Sequence, residues 1–450
     1  MSKPVFTHTQ DQFKQITEDM LRIARNKGAT DAVAEVSEGG GLSISVRKAK
    51  VETIEQNRDK GVGITVYIGK KRGNASTSDF SAKSLEDTVE AAYNIARFTA
   101  EDDCAGLPDA EMLEKNPQDL KLFHPWQVTA EEAIALACRI EAAAFETDKR
   151  ISNCDGASVH AQQSHFVSAN TRGFSGGYAF SRHTLSVAPI AGKGAGMQRD
   201  DWYSSHRNAK QLASPEAIGR YAAERALARL NSRTIDTRKC PVLFEAPLAA
   251  GLLGSLVQAV SGGALYRKSS FLLDSLGQQI FPSHIQVTED PHILGGVGSS
   301  PFDDEGVTTK KRDVVKDGVL QGYFLSTYSA RKLGMQTTGN AGGSHNLVMT
   351  SSLARKSDNF VQMLKKMGTG LLVTELMGQG VNYVTGDYSR GASGFWVENG
   401  VIQYPVEEIT IAGNMREMFQ QIVAIGNDQL TRGTKTTGSI LIESMTVAGS

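Results

Sequence analysis

Between residues 42 and 78 the segments LSISVRK, VETIEQN, VGITVYIG and RGNASTS follow one another, each alternating apolar and polar side chains. Side chains that switch face at every residue suit a half-buried strand and cannot give one apolar stripe on a helix. These segments are therefore expected to form an antiparallel meander of four strands. The pattern returns from Asn153 to His206, punctuated by the glycine-rich turns TRGFSGG and AGKGAGM. Two further hairpins are read in VVKDGVLQGYF and FWVENGVIQYP. Their Asp317-Gly318 and Asn399-Gly400 pairs supply the positive φ that a type I′ turn needs. The 45 glycines exceed an average share of about 7% and favour turns and close backbone approach over long helices.

Helices are expected around these sheets. Asp11–Lys27 places Phe13, Ile16, Met20 and Ile23 on one face, and Leu85–Thr99 does so with Leu85, Val89, Ala92 and Ala96. Thr129 and Glu132 form a capping-box signature for a third helix. Ser214-Pro215 begins a fourth, which runs to about Leu230. The polar run Asn231–Lys239 reads as a linker, dividing the chain into domains 1–235 and 236–450. The second half opens with a strand at Pro241–Phe244 and a helix with the stripe Leu252, Leu253, Leu256, Val257 and Val260. Further helices are expected at Asn359–Met367 and Met415–Ile425, with GSILIESMTVAG as a closing strand. The fold class is α+β: an N-terminal α/β domain with an antiparallel sheet and flanking helices, then a mainly antiparallel β domain with helices. No strand–GxGxxG–helix unit is present, which argues against a nucleotide-binding parallel sheet.

A net charge of −1 gives no footprint for nucleic acid or an anionic membrane. The apolar stretch Leu248–Ala264 is short for a membrane span and carries Gly, Ser and Gln. The opening MSKPVFTHTQDQFKQ lacks the apolar core of a signal peptide, so a cytoplasmic location is expected. Cys104, Cys138, Cys154 and Cys240 have spacings that suit neither a zinc site nor a disulfide framework.

No phosphate-binding loop ends in Lys-Ser/Thr, and the surroundings of Ser389 and Ser393 each miss a glycine of the nucleophile elbow. Ser344, His345 and Asp387 could form a triad only in space. His160 and His165, five apart in a strand, point to opposite faces. His284 and His292 bracket Glu289 and Asp290, suitable ligand types around an Asp-Pro turn. No His-Glu-x-x-His occurs. The distinctive block is TELMGQGVNYVTGDYSRGASGFWVENG, Thr374–Gly400. Its glycines would let a peptide approach by strand addition around Asp387, Tyr388, Ser389, Arg390 and Gly391. Arg390 would pair with a substrate carboxylate or, equally, be tied to Asp387. The loop TTGNAGGSHN, with Ser344 and His345, has the same character.

This block, with YRKSSFLLDSLG, FDDEGV, TYSARKLG, TTGNAGG and IGND, and GVGITVYIGKKRGNASTSDFS and DDCAGL earlier, resembles the TldD/PmbA family of bacterial peptidases, long labelled modulators of DNA gyrase. The resemblance spans essentially the whole chain. It implies an N-terminal α/β domain and a largely β C-terminal domain. It also implies a cytosolic two-subunit protease that cuts unfolded peptides held as extended strands, with roles in maturing modified peptide antibiotics and degrading an antitoxin. In that family the TldD subunit carries His-Glu-x-x-x-His on a helix and a distant Cys as metal ligands. Here LLGSLVQAVSGG stands at that helix, placing Leu253, Gly254 and Gln258 at the motif positions. A one-residue shift gives Gly254, Ser255 and Ala259. The Cys position falls near Thr437. The resemblance thus implies a chain with no metal of its own, a zinc-bearing TldD-like partner, unfolded peptides as substrates, and a possible homodimer in isolation. A stand-alone Ser- or His-based hydrolase and a non-enzymatic peptide-binding module remain as alternatives.

Overall fold

The computed structural model of the chain describes residues 5–449. Helix α1 (Gln10–Asn26) is followed by β1 (Asp31–Arg47), β2 (Lys50–Ile68), β3 (Lys71–Thr77) and α2 (Ala82–Phe98). Then come α3 (Ala130–Thr147), β4 (Ile151–Asn170), β5 (Ser175–Gly176), β6 (Ala179–Ala191), β7 (Gln198–Arg199), β8 (Trp202–His206) and α4 (Pro215–Ala228). A first compact unit runs up to Leu227 and includes the later segments Leu294–Gly296 and Pro301–Thr309. The second takes Ala228–Ile293, Val297–Ser300 and the chain from Lys310 onward.

The first unit is one antiparallel sheet in the order β3-β2-β1-β4-β6-β7, with β5 on β4 and β8 on β6. Alternation sets its two faces. Ala32, Ala34, Val36, Ile44 and Val46 share one face of β1 and are buried. The first three pack with α1 and α2, the last two with α3 and α4. Capping boxes start α1 (Thr9 with Gln12) and α3 (Thr129 with Glu132). Histidines on opposite faces of β4 behave as alternation requires: His165 stacks between Phe6 and Phe13, while His160 Nδ1 meets Ser43 Oγ at 3.0 Å.

The meander departs from its expectation in one respect. Its four segments are three strands, because β2 runs unbroken through VETIEQN and VGITVYIG, and β1 begins at Asp31. The turn between them, Lys48-Ala49, has φ of 52° and 56° without a glycine. The buried carboxylate of Glu141 holds it, accepting from Lys48 N–H and Ala49 N–H at 2.7 Å each. A signal in α3 thus fixes a turn nearly a hundred residues earlier.

The second unit contains β9 (Arg238–Phe244), α5 (Ala246–Ala259), α6 (Gly262–Tyr266), β10 (Ile285–Asp290), β11 (Arg312–Lys316), β12 (Val319–Leu320), α7 (Thr327–Lys332), β13 (Asn346–Ser351) and α8 (Phe360–Met367). It continues with β14 (Gly370–Met377), β15 (Asp387–Glu398), β16 (Val401–Asn414), α9 (Met415–Gln420), β17 (Ile422–Ile425), β18 (Leu430–Arg432), β19 (Lys435–Thr437) and β20 (Ile440–Ala448). One sheet runs β16-β15-β14-β9-β20-β17, and β16 also pairs with β20, so five of its strands close on themselves. Closure removes exposed edges. The other runs β12-β11-β10-β13-β19-β18. Most pairings are antiparallel; β9–β14 and β13–β19 are parallel. The chain is a mixed α+β protein, as expected.

Two readings are corrected here. The helix expected over Met415–Ile425 stops at Gln420, because Ile422 and Ile425 pair with Ile442 and Ile440 of β20. The polar run read as a linker is tied down: Arg233 N–H donates to Pro405 O, and Glu407 N–H to Arg233 O. Both expected hairpin turns occur, with Asp317, Gly318, Asn399 and Gly400 at φ between 50° and 77°.

Candidate functional site

Helix α5 sorts its residues by face. Leu252, Leu253, Leu256 and Ala259 are buried in the main core of the second unit. Gly251 and Gln258 are exposed, and Gly254 lies between these extremes. The hairpin β18–β19 packs beside the helix. Lys435 runs along this open face, its Cε 3.7 Å from where a Cβ on Gly254 would stand. Thr437, two residues on, shares its face of β19 by alternation. It is 0% exposed, and its Oγ1 has no hydrogen-bond partner among the described residues. The structure therefore brings the Thr437 strand to the Gly254 helix face, 183 residues away in sequence.

These residues do not fit a zinc ion. Leu253 offers hydrocarbon to the core, Gly254 has no side chain, Gln258 carries an amide and Thr437 a hydroxyl. Zinc needs thiolate, imidazole or carboxylate donors. Lys435 adds a positive charge, which repels a cation. Among the described residues no group of three or more His, Cys, Asp or Glu side chains is placed to hold a metal ion. Lys435 escaped the sequence reading, although its alternation with Thr437 in GTKTTGS put both on one face.

A second cluster gathers around Glu289 on β10, 1% exposed. Its carboxylate accepts from Arg312 Nε at 2.7 Å, Asn340 Nδ2 at 2.8 Å and His345 N–H at 2.8 Å, and meets His345 Nδ1 at 3.0 Å. Burial alone would raise its pKa, but the His345 hydrogen bonds and the Arg312 charge outweigh it and bring it to about 2. The TTGNAGGSH loop is thereby pinned, with Gly339, Gly342 and Gly343 at positive φ. His345 is thus paired with Glu289. Asp387 instead meets Thr385 Oγ1 at 2.6 Å and Asn414 Nδ2 at 3.4 Å, so no Ser344–His345–Asp387 triad is assembled. His284 is spent on Ser351 and the Ile422 carbonyl rather than joining Glu289.

In the Thr374–Gly400 block, Asp387 and Ser389 face outward, while Tyr388 is buried and Arg390 partly so. Gly391 continues the strand into its pairing with Met377. Both edges of this segment are occupied within the chain: Ser389 N–H donates to Gly380 O, and β16 pairs along the other side. A Cβ on Gly380 would stand 1.5 Å from Ser389 O, so that glycine serves the chain's approach to itself. This leaves no free backbone here for a strand to add to. No ion pair joins Arg390 to Asp387 among the described residues. Arg390 Nε and Tyr388 Oη are buried and have no well-formed hydrogen bond. Burial pushes the Tyr388 phenol up to about 12, with the Arg390 charge opposing.

The chain matches the PmbA/TldA metallopeptidase C-terminal domain over residues 237–449, the central domain over 123–230 and domain 1 over 32–96. It belongs to the PmbA/TldD metallopeptidase family. Metalloprotease PmbA of Escherichia coli O157:H7 is 50% identical over 95% of this chain and 94% of its own length. The Haemophilus influenzae PmbA homolog is 43% identical over 98% and 97%. A crystal structure from Bacteroides thetaiotaomicron, described as a candidate modulator of DNA gyrase, superposes with a TM-score of 0.91 at 27% identity, covering 98% of this chain and 99% of that one. TldE of Thermococcus kodakarensis, at 21% identity and a TM-score of 0.83 over 96% and 100%, shares the fold.

Proposed function

We propose that this chain is the PmbA-type subunit of a two-subunit zinc metallopeptidase, without metal or catalytic residues of its own. With a TldD-like partner that holds the zinc, it completes a cytoplasmic chamber in which unfolded peptides are degraded or matured. The observation that carries this reading is the open face of α5. It keeps the packing of a core helix through Leu253 and Leu256, yet its open side carries Gly254 and Gln258 with the Lys435 stem alongside, none of them a metal donor. Metal-assisted hydrolysis needs a Lewis acid and a base, and these side chains supply neither. The strand β18, beside α5, is the last of its sheet, a position that suits an extended peptide. Among the described residues no helix is long and apolar enough to cross a membrane.

Metal analysis of the purified chain tests the reading. Well under one zinc per chain is expected after exposure to zinc and desalting. One tightly held zinc per chain would overturn it.

A stand-alone hydrolase has one observation in its favour: Glu289 engages His345 Nδ1 as a carboxylate orients a general base. Labelling of the pure chain at Ser344 by a serine-directed probe would support that alternative.

A further inference from the structure

We propose that the open face of α5, with Lys435 of β19 lying along it, is a carboxylate-binding subsite. The inference rests on the reading that peptides reach this face.

The Lys435 ammonium makes no ion pair and no hydrogen bond among the described residues. Burial alone acts on it, pushing its pKa down. A partly buried cation without a counter-charge is costly, and the cost is relieved when an anion binds. Thr437, on the same strand face by alternation, is fully buried and closed to any ligand, so Lys435 is the polar group of this face that β19 offers.

The surrounding shape agrees. A Cβ on Gly251 would meet nothing within 4 Å, and a Cβ on Gly254 would stand in ordinary van der Waals contact with the Lys435 stem. A larger side chain at position 254 would occupy the space beside that stem. Arg432 stands opposite Lys435 in the β18–β19 ladder and adds a second positive residue to the same strand face. The ammonium and the exposed Gln258 amide can both donate hydrogen bonds. This is the complement of a zinc site, where every ligand must offer a lone pair. A carboxylate, at a peptide C-terminus or on an Asp or Glu side chain, is the small anion that an extended peptide brings.

Two measurements on the full chain test this. The first compares binding of three labelled unstructured peptides of one sequence: a free C-terminal carboxylate without acidic side chains, its C-terminal amide, and the amide with one internal Glu. The free acid, the Glu-bearing amide or both are expected to bind about tenfold or more tightly than the plain amide. The advantage should vanish in Lys435→Gln and Lys435→Met, with melting temperatures checked for both. Which acid binds tells a terminal from a side-chain carboxylate. Equal binding of all three, or an advantage that survives both substitutions, overturns the subsite and leaves the peptide-binding reading intact.

The second follows acylation of Lys435 by an amine-reactive ester, read by mass spectrometry with and without sodium acetate. Lys83, exposed on α2, serves as the internal reference. Several-fold selective protection of Lys435 by acetate is expected. If acetate protects Lys435 but no peptide binds, the carboxylate site stands and the peptide reading falls. No protection overturns the site.

Discussion

Lys435 lies across Gly254, its Cε 3.7 Å from the point a Cβ on that glycine would occupy. The contact joins the α5 helix to the β18–β19 hairpin. One side of α5 is held by core packing and the other is left open.

The two sides should answer mutation with opposite signs. Gly254→Ala adds a methyl at ordinary contact distance inside a helix and is expected to stabilise by about 0.5–1 kcal/mol. Leu253→Ala empties a 1% exposed core position and should cost about 2–5 kcal/mol. Urea denaturation of both variants checks this. A destabilised Gly254→Ala would mean that the open face is packed more tightly than described.

Glu289 makes the protein acid-sensitive. Its folded pKa of about 2 lies below the ordinary 4.5. Its stabilisation, about 3 kcal/mol, is therefore fully present above pH 5 and is lost as pH falls through 4.5 toward 2. Glu289→Gln leaves Arg312 without its carboxylate and should cost about 3–5 kcal/mol at pH 7. The stability of that variant should fall less between pH 5 and pH 3 than that of the parent. Denaturant midpoints at the three pH values decide; parallel profiles would count against the role of Glu289.

The Lys48-Ala49 turn should depend on α3. Glu141→Ala removes both carboxylate hydrogen bonds to the turn and is expected to cost about 2 kcal/mol or more. Ala49→Gly eases a positive φ and is expected to stabilise by about 0.5–1 kcal/mol. Hydrogen exchange at the Lys48 and Ala49 amides should quicken in Glu141→Ala. Unchanged exchange would show that the turn stands by itself.

Arg390 is the side chain of the Thr374–Gly400 block expected to matter for peptides. Arg390→Ala should lower peptide turnover by the assembled pair several-fold while the chain still binds its partner. Turnover at the parent rate would show that Arg390 has no part in handling peptides.

Local signals were the legible part of this fold. Thr129 with Glu132, Asp317-Gly318, Asn399-Gly400 and the α1 stripe each act within a few residues, and each produced the element expected. The misreadings lay where distant partners decide. Ile422 and Ile425 look helical until β20 offers them a ladder, and the charged Arg58–Lys60 stretch, read as a break between two strands, continues β2 because β1 pairs with it. The glycines of the Thr374–Gly400 block suggested room for another chain, but Gly380 is small so that Ser389 can approach. That LLGSLVQAVSGG holds no His, Cys, Asp or Glu is plain in the sequence. The approach of Lys435 is not, because only the fold brings it to Gly254.

The most direct test of the central claim is peptide cleavage by this chain alone, by a TldD-type subunit from the same cell alone, and by the two mixed, each with and without a zinc chelator. The account predicts no cleavage by this chain alone, strong cleavage by the mixture, and loss of that activity with chelator. Chelator-resistant cleavage by the pure chain would contradict it and place the chemistry in a site other than the open face of α5.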